Sequence, residues 1–336
     1  MTVIETQLQQ HNDCLQRLKL EGASGSITAE ERAWLPSIPA SASDESIRHE
    51  LETKGVVHIK GVMPREFVLE ARRKYFEWVE PTHILKEGTD PKEGIWAAGD
   101  RDPNHFVPPA GAGYIEMNPQ AAVYIDRAWD MLDEEWPKDF CSNQYIKTMV
   151  TRIHHDWHEP FCFKRQIWRT NVPHAKGTST GVHYDHIFLR GGPPTAITAW
   201  VPVGDCTPEM GGLMYLENSI PIAQKIEDDF TELGKAKGFT EDDLVYAFNS
   251  NMDATGMLSM DPGTFGQQFG ENRKWLIGDY EAGDIVFHHS MMIHASGSNL
   301  DPQGRIRLST DLRYGDRNHP YDARWDQDRM RPGDRL

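Results

Sequence analysis

The sequence predicts a β-sandwich or β-barrel to which helices are added. From residue 161 onward, short runs with strand character recur, and turns rich in Gly, Pro and Asp separate them. Before residue 161, apolar residues recur mostly at helical spacing. We therefore expect a mainly β fold whose helices come largely from the first half of the chain.

The first part of the chain predicts helices on either side of one strand. Residues 1–45 indicate an N-terminal helix and a loosely held linker. The stretch GVVHIKG (55–61) is rich in β-branched residues and predicts a strand. Apolar periodicity predicts helices over 63–79 and over about 118–133, and a loop rich in Gly, Pro and Asp at 80–115 separates them.

The second part predicts a series of short strands with one insertion. The strand-like runs cover residues 163–172, 182–188, 195–203, 212–216, 275–277, 284–288 and 305–314. Residues 220–272 interrupt this series with a helical stretch and a run rich in Gly, Met and Asn, which we interpret as a lid. We expect one domain over residues 46–315 and a C-terminal tail over 316–336.

Composition excludes several classes of partner. The 336 residues include 35 basic and 51 acidic side chains, so the net charge of −16 disfavours nucleic acid and anionic membranes. No apolar stretch is long enough to cross a bilayer, and the first ten residues are polar, unlike a secretory signal. Four scattered cysteines without CxxC spacing predict reduced thiols, so we expect a cytoplasmic protein.

Two stretches predict a metal site. In GVHYDHIF, His183 and Asp185 are two residues apart, so an extended backbone would direct both side chains to one face. Downstream, GDIVFHHSMMIHASGSN offers His288, His289 and His294 as a third ligand. Two imidazoles and one carboxylate are typical of the facial triad of non-haem Fe(II) oxygenases, which leaves other coordination positions open.

The chain resembles the phytanoyl-CoA dioxygenase-like family of Fe(II)/2-oxoglutarate oxygenases from about residue 54 to 315. The resemblance is carried by KGVVHIKGVMPREFVLEARR, GVHYDH, TAITAWVPVGDCTPEMGGLMYLENS, GDIVFHHSMMIHASGSN and RIRLSTDLRYGD. It implies a double-stranded β-helix, a jelly-roll, cupin-like barrel with helices buttressing one side. It also implies that His183, Asp185 and His294 bind Fe(II), with 2-oxoglutarate and O₂ as co-substrates.

The resemblance further implies an arginine for the distal carboxylate of 2-oxoglutarate, because a planar guanidinium can bind both carboxylate oxygens. The family's arginine lies seven residues before an aromatic residue, a spacing that Arg307 and Tyr314 match. A longer loop after the distal histidine leaves Arg305 as a rival. The other candidates for the co-substrate pocket are Ser296, Trp200, Trp168 and Asn171.

The implied reaction is oxidation of an unactivated C–H bond of a small organic substrate, foremost by hydroxylation, with succinate and CO₂ as co-products. Desaturation, epoxidation or ring formation in secondary metabolism are alternatives. Asp185 disfavours halogenation, because related halogenases have a small residue at this position. A non-catalytic cupin-like binding protein and a Zn(II) hydrolase or lyase also stay open, as does a homodimer.

Other polar clusters have simpler interpretations. His154 and His158 have helical spacing, but the zincin pattern requires a glutamate where His155 stands. The acidic run 227–229 predicts a solvated helix face. Arg190 and Arg313 fit either an anionic substrate or ordinary ion pairs.

Overall fold

A computed structural model describes residues 3–106, 121–175, 177–247, 256–268 and 273–327. Within these ranges, two β-sheets pack face to face through a buried cluster to which both contribute, for example Trp200 of one and Tyr215 of the other. Helices pack on the outer face of the larger sheet, where Phe76 and Val150 join Leu308 in one core.

The strands are β1 (Arg32–Trp34), β2 (Ser37–Pro39), β3 (Val56–Lys60), β4 (Pro160–Cys162), β5 (Ile167–Asn171), β6 (Ile197–Pro202), β7 (Leu213–Leu216), β8 (Trp275–Ile277), β9 (Ile285–His289), β10 (His294–Ser296) and β11 (Arg307–Asp316). The α-helices are α1 (Val3–Leu15), α2 (Asp44–Lys54), α3 (Arg65–Trp78), α4 (Ala122–Asp130), α5 (Glu135–Cys141), α6 (Gln144–Ile153), α7 (Ile220–Ala236), α8 (Glu241–Tyr246) and α9 (Pro262–Gln268).

The larger sheet has the order β2-β3-β9-β6-β11-β4, and β5 also pairs with β11. The smaller sheet has the order β1-β8-β7-β10. Pairs β1/β8 and β2/β3 are parallel and the other pairs are antiparallel, so both sheets are mixed. Among the described residues, no strand ladder joins the two sheets into a closed barrel.

Alternation along β11 gives the larger sheet two different faces. Leu308, Leu312 and Tyr314 belong to the core shared with the helices. The intervening side chains face the smaller sheet, because Asp311 lies opposite Trp200 of the inter-sheet cluster in the β6/β11 register. This inward face carries Arg307, Ser309, Asp311 and Arg313, as the alternating sequence predicts.

The structure corrects several predicted elements. More of the described residues lie in α-helices than in strands, so the fold is not mainly β. Helices α5 and α6 were not predicted from the sequence. The predicted linker contributes strands β1 and β2 to the sheets. The run 182–188 is extended only at its start, since a 3₁₀ helix spans Asp185–Phe188. None of the described helices combines the length and apolar character required to span a membrane.

The described part of the C-terminal tail packs against the rest of the fold. Trp325 is buried, and its indole Nε1 donates a hydrogen bond of 2.8 Å to the carbonyl oxygen of Phe188. The backbone amide of Arg165 donates to the carbonyl oxygen of Trp325 at 3.1 Å. Residues 328–336 of the predicted tail lie outside the described residues.

Candidate metal centre

His183, Asp185 and His294 come together between the two sheets. One potential ligand atom from each residue lies within 4.8 Å of the other two, and all three side chains are buried. Nε2 of His183 is 3.9 Å from Oδ1 of Asp185, and the two imidazole rings have centroids 4.2 Å apart. The donor atoms of the predicted triad are therefore close enough to share one ion.

The backbone fixes the two histidines opposite each other. His183 and His294 exchange two backbone hydrogen bonds of 3.0 and 2.8 Å, as a directly paired couple does in an antiparallel ladder. Tyr184 is extended, so the side chains on either side of it point the same way. His183 and Asp185 therefore share a face even though Asp185 begins a 3₁₀ helix.

Carbonyl oxygens set the tautomer of both imidazoles. Nδ1 of His183 lies 2.9 Å from the carbonyl oxygen of Gly181, and Nδ1 of His294 lies 2.9 Å from that of Met292. Donation from Nδ1–H leaves the Nε2 lone pair available to a metal. Burial lowers the pKa of His183 and places that of His294 well below its usual value, so both rings stay neutral.

Three side chains hold the carboxylate of Asp185. Its Oδ2 accepts a hydrogen bond of 2.5 Å from Oγ1 of Thr198 and lies 3.2 Å from Nε2 of His288. Its Oδ1 accepts a hydrogen bond of 2.8 Å from Nη2 of Arg313. Burial alone would raise the pKa of Asp185, but Arg313 and His288 hold this pKa well below its usual range. Asp185 therefore offers an ionised carboxylate as a metal ligand.

The two rival arginines have different surroundings. Arg307 lies on the inward face of β11 with 1% of its surface exposed. Its Nη1 is 3.4 Å from Oγ of Ser309, whereas Nε and Nη2 have no hydrogen-bond partner among the described residues. Arg305 instead donates to both carboxylate oxygens of Asp301 at 2.7 and 3.0 Å. A buried guanidinium with unpaired donors fits a ligand carboxylate, and an already paired one does not.

Three further candidates lie on the inner side of the fold. Oγ of Ser296 accepts a hydrogen bond of 2.6 Å from the amide of Thr180, and Trp200 is fully buried with an unpaired Nε1. Asn171 pairs with Arg307 in the β5/β11 register. Its amide donates to the carbonyl oxygen of Gly297 at 2.9 Å.

Trp168 lies on the other side of the sheet, which corrects its predicted place in the co-substrate pocket. It is three residues from Asn171 on the same strand, so the two side chains face opposite ways. The indole stacks on Tyr75 with ring centroids 5.9 Å apart and packs against Phe140 at 5.5 Å. Trp168 is therefore part of the core between the larger sheet and the helices.

Glu227 corrects the prediction of a solvated acidic helix face over 227–229. Glu227 is buried. It accepts a hydrogen bond of 2.5 Å from the Tyr184 hydroxyl and forms an ion pair with Arg190 at 2.7 Å. It therefore links α7 to the residue between two metal ligands. Helix α6 ends at Ile153, so His154 is not on a helix, and its ring stacks on Trp157 at 4.0 Å.

Two neutral imidazoles and a carboxylate are the donor set of a non-haem iron(II) site, and the buried guanidinium of Arg307 suits an acidic co-substrate. The sequence matches the family model of phytanoyl-CoA dioxygenase (PhyH) over residues 51–307, which is more than half of the chain. The chain belongs to this family. It is therefore a non-haem Fe(II)/2-oxoglutarate-dependent oxygenase, and the predicted enzyme class and cofactors are confirmed.

Matches to solved structures were also found. The α-ketoglutarate-dependent carbocyclase SnoK from nogalamycin biosynthesis is 18% identical with a TM-score of 0.46, covering 82% of this chain and 86% of its own. The epimerase SnoN, in complex with Fe3+, α-ketoglutarate and nogalamycin RO, is 17% identical with a TM-score of 0.46, covering 81% and 83%. AviO1 from Streptomyces viridochromogenes Tue57 is 13% identical with a TM-score of 0.45, covering 84% and 98%. No curated protein sequence matches the chain.

Proposed function

We propose that His183, Asp185 and His294 bind iron(II), that Arg307 binds the distal carboxylate of 2-oxoglutarate, and that the site oxidises an unactivated C–H bond of a small organic substrate. The observation that carries this proposal is the convergence of the three ligand atoms within 4.8 Å between the two sheets. The interior also holds Arg307, whose Nε and Nη2 have no hydrogen-bond partner among the described residues. The family membership supports the same assignment.

The described residues fit an iron(II) ion and 2-oxoglutarate. Neutral Nε2 atoms on two histidines and one anionic carboxylate supply three donors, and the other coordination positions stay available to co-substrate and O₂. With these groups bound, the site supplies oxidative decarboxylation of 2-oxoglutarate to succinate and CO₂, coupled to oxidation of the substrate. The protein contributes ligand orientation, the fixed charge of Arg307 and a buried environment that excludes water.

The strand order supports a double-stranded β-helix, the finer fold that we propose. Strands β6, β9 and β11 belong to the larger sheet, and β7, β8 and β10 belong to the smaller sheet. The backbone at His183 pairs with β10, which extends the smaller sheet by one short segment. The chain thus passes repeatedly from one sheet to the other, as a jelly-roll requires. In this arrangement Ser296, Trp200 and Asn171 would line the co-substrate pocket.

We further propose that the insertion over 220–272 borders the entrance to the metal. The hydrogen bond between Glu227 of α7 and Tyr184 ties this insertion to the ligand segment. Residues 248–255 and 269–272 of the insertion lie outside the described residues. Hydrogen exchange should slow in the insertion when 2-oxoglutarate and substrate bind. Equal exchange in both states would make it a surface elaboration only.

An anaerobic titration tests the metal and co-substrate assignment. Iron(II) followed by 2-oxoglutarate should produce a metal-to-ligand charge-transfer band in the visible range, and His294→Ala should abolish it. Product analysis then separates hydroxylation from desaturation, epoxidation and ring formation. A folded wild-type protein that binds Zn(II), hydrolyses a substrate and gives no band with 2-oxoglutarate would contradict the proposal.

A further inference from the structure

A third interior arginine lies at the metal centre. Arg313 is 5% exposed on the inward face of β11, and its Nη2 donates to Oδ1 of Asp185 at 2.8 Å. Its Nε and Nη1 are buried and have no hydrogen-bond partner among the described residues. The ring of Trp325 covers the guanidinium, with the Arg313 Cζ 4.9 Å from the ring centroid. Arg313 therefore has two unused donors directly beside a metal ligand.

Arg313 and Arg307 are too far apart to serve one carboxylate. They are six positions apart on β11, which corresponds to roughly 20 Å between their α-carbons. Arg313 lies opposite Thr198 in the β6/β11 register, and Thr198 also binds Asp185. A co-substrate that reaches from the metal to Arg307 therefore extends away from Arg313, whose free donors lie at the other end.

The charges around the metal leave Arg313 uncompensated. Asp311, the inward acid of β11, also attracts Arg313, but its carboxylate is already paired with Arg169 at 2.8 Å. Asp185 is the acid that contacts Arg313, and in the loaded enzyme it would share its single negative charge with a dication. The two carboxylates of 2-oxoglutarate would be matched by the metal and by Arg307. One buried positive charge then remains at Arg313, which is unfavourable without an anion.

We propose that Arg313 binds an anionic group of the substrate, a carboxylate or a phosphate, next to the metal. This inference rests on the proposed function and deepens it, because it names the chemical class of the substrate. Donation from one of the two unpaired nitrogens to an oxyanion would supply a charge-assisted hydrogen bond and compensate the charge. It would also place the substrate anion on the side of the metal opposite the distal carboxylate of 2-oxoglutarate.

The test uses the full-length protein loaded anaerobically with iron(II) and saturating 2-oxoglutarate. The probes are acetate and methyl phosphate as the two oxyanions, and acetamide as the neutral counterpart of acetate. We expect one of the oxyanions to shift the charge-transfer band saturably, and acetamide to leave it unchanged. Which oxyanion acts distinguishes a carboxylate site from a phosphate site.

Two variants assign this response to a residue. Because Arg313 also holds Asp185, Arg313→Gln is loaded with enough iron(II) and 2-oxoglutarate to saturate its charge-transfer band. In this variant the half-saturating concentration of the active oxyanion should rise by at least about tenfold, as expected for loss of a charge-assisted hydrogen bond. The matched control is Arg305→Gln, which removes an arginine charge two residues before β11. The response of its charge-transfer band to the oxyanion should equal that of the wild type. An unchanged response in Arg313→Gln would overturn the inference.

The remaining outcomes are also decisive. If Arg313→Gln gives no band, the test uses Arg313→Lys, which keeps the charge beside Asp185. A band that responds to the oxyanion supports the inference. A missing band, or a band without that response, overturns it. A wild-type band that neither oxyanion shifts, or that acetamide shifts equally, contradicts this inference alone. A wild-type protein without any band contradicts the proposed function and this inference with it.

Discussion

Each of the three proposed metal ligands is oriented by contacts with the protein itself. Backbone carbonyl oxygens hold the two histidines at Nδ1, and Thr198, His288 and Arg313 hold the carboxylate of Asp185. Such partners fix the tautomer and direction of a ligand and commonly change metal affinity by about 10–100-fold. At the residue scale, the site therefore consists of the three ligands and of the groups that orient them.

Replacing His294 by alanine should remove iron(II) binding and leave the fold intact. Two donors cannot complete a facial triad, so we expect affinity to fall by more than about 100-fold, beyond the usual effect of an orienting partner. Equilibrium dialysis under anaerobic conditions measures this loss. The matched control is His289→Ala, because His289 is not in the triad and should keep wild-type affinity. Unchanged iron affinity in a folded His294→Ala variant would disprove the ligand assignment.

The choice between Arg307 and Arg305 can be decided by 2-oxoglutarate binding. Arg307→Ala should weaken it by about 2–5 kcal/mol, or roughly 30- to several-thousand-fold, because a buried ion pair is lost. Arg305→Ala should have a much smaller effect, since Arg305 is already paired with Asp301. Iron(II) affinity should be unchanged in both variants. A reversed order of the two losses would make Arg305 the anchor.

The triad was predictable at this scale because its spacing and residue types are visible in the sequence. The partners of Asp185 were not, since they depend on which residues of β6, β9 and β11 lie level with one another. Trp168 and Asn171 were both proposed for the pocket, although one strand cannot direct residues three apart to the same face. Strand period would have excluded one of them.

At the scale of elements, helix α7 is held to the metal-ligand segment by one buried acid. Glu227 contacts both Tyr184 and Arg190, and the guanidinium of Arg190 also lies 4.3 Å from the centroid of the Phe230 ring. The sequence predicts a solvated acidic face because Glu227 is followed by two aspartates. Both aspartates are exposed in the structure, but Glu227 is not. A single buried acid at the edge of a charged run has no signature in composition.

Removing the charge of Glu227 should destabilise the protein. In Glu227→Gln the buried guanidinium of Arg190 loses its compensating charge, which typically costs about 3–5 kcal/mol. Denaturant unfolding measures the change in the free energy of unfolding. The neighbouring Asp228→Asn should change it by less than about 0.5 kcal/mol, because Asp228 is exposed. Equal effects of the two substitutions would contradict the role assigned to this pair.

Elements were predictable where the sequence pattern is long or regular. Helix α3 and strands β6, β7, β8 and β9 lie close to their predicted positions. Helices α5 and α6 were not predicted, although Asn143 caps α6 by accepting a hydrogen bond of 3.1 Å from the Ile146 amide. Strand β10 has three residues, too few to show an alternating pattern.

At the scale of the whole molecule, half-buried histidines make stability depend on pH. Burial is the main cause that lowers the pKa of His154 and of His289 to about 4. The imidazole of His289 also accepts a hydrogen bond of 3.1 Å from the Met291 amide through Nδ1, which requires an unprotonated nitrogen. Because the unfolded chain has the ordinary histidine pKa of 6.5, it takes up these protons first as the pH falls.

We therefore expect the free energy of unfolding to be fully retained above about pH 6.5 and to decrease between about pH 6.5 and 4. Urea unfolding at several pH values measures this slope. His154→Gln and His289→Gln should each make the slope shallower, and a variant of the exposed His49 should not. Identical slopes in all variants would show that other groups control the acid sensitivity.

The overall arrangement was predictable in outline. The β-rich second half and the polar inner face of β11 follow from period and composition, but the two-sheet arrangement does not, because it depends on pairs between distant strands. The predicted mainly β content was wrong because helices supply much of the outer layer.

The contacts that orient the metal ligands differ in how they tolerate change over evolutionary time. The acceptors for His183 and His294 are main-chain carbonyl oxygens, which every amino acid possesses. Substitution at position 292 can therefore keep the tautomer of His294 as long as the backbone path survives. Gly181 is restricted by packing instead, because an added Cβ would lie 2.8 Å from the carbonyl oxygen of Ser259. Asp185 depends on three particular side chains, each of which a single codon change can remove. Divergence among descendants of this gene should therefore retune the carboxylate side of the site first.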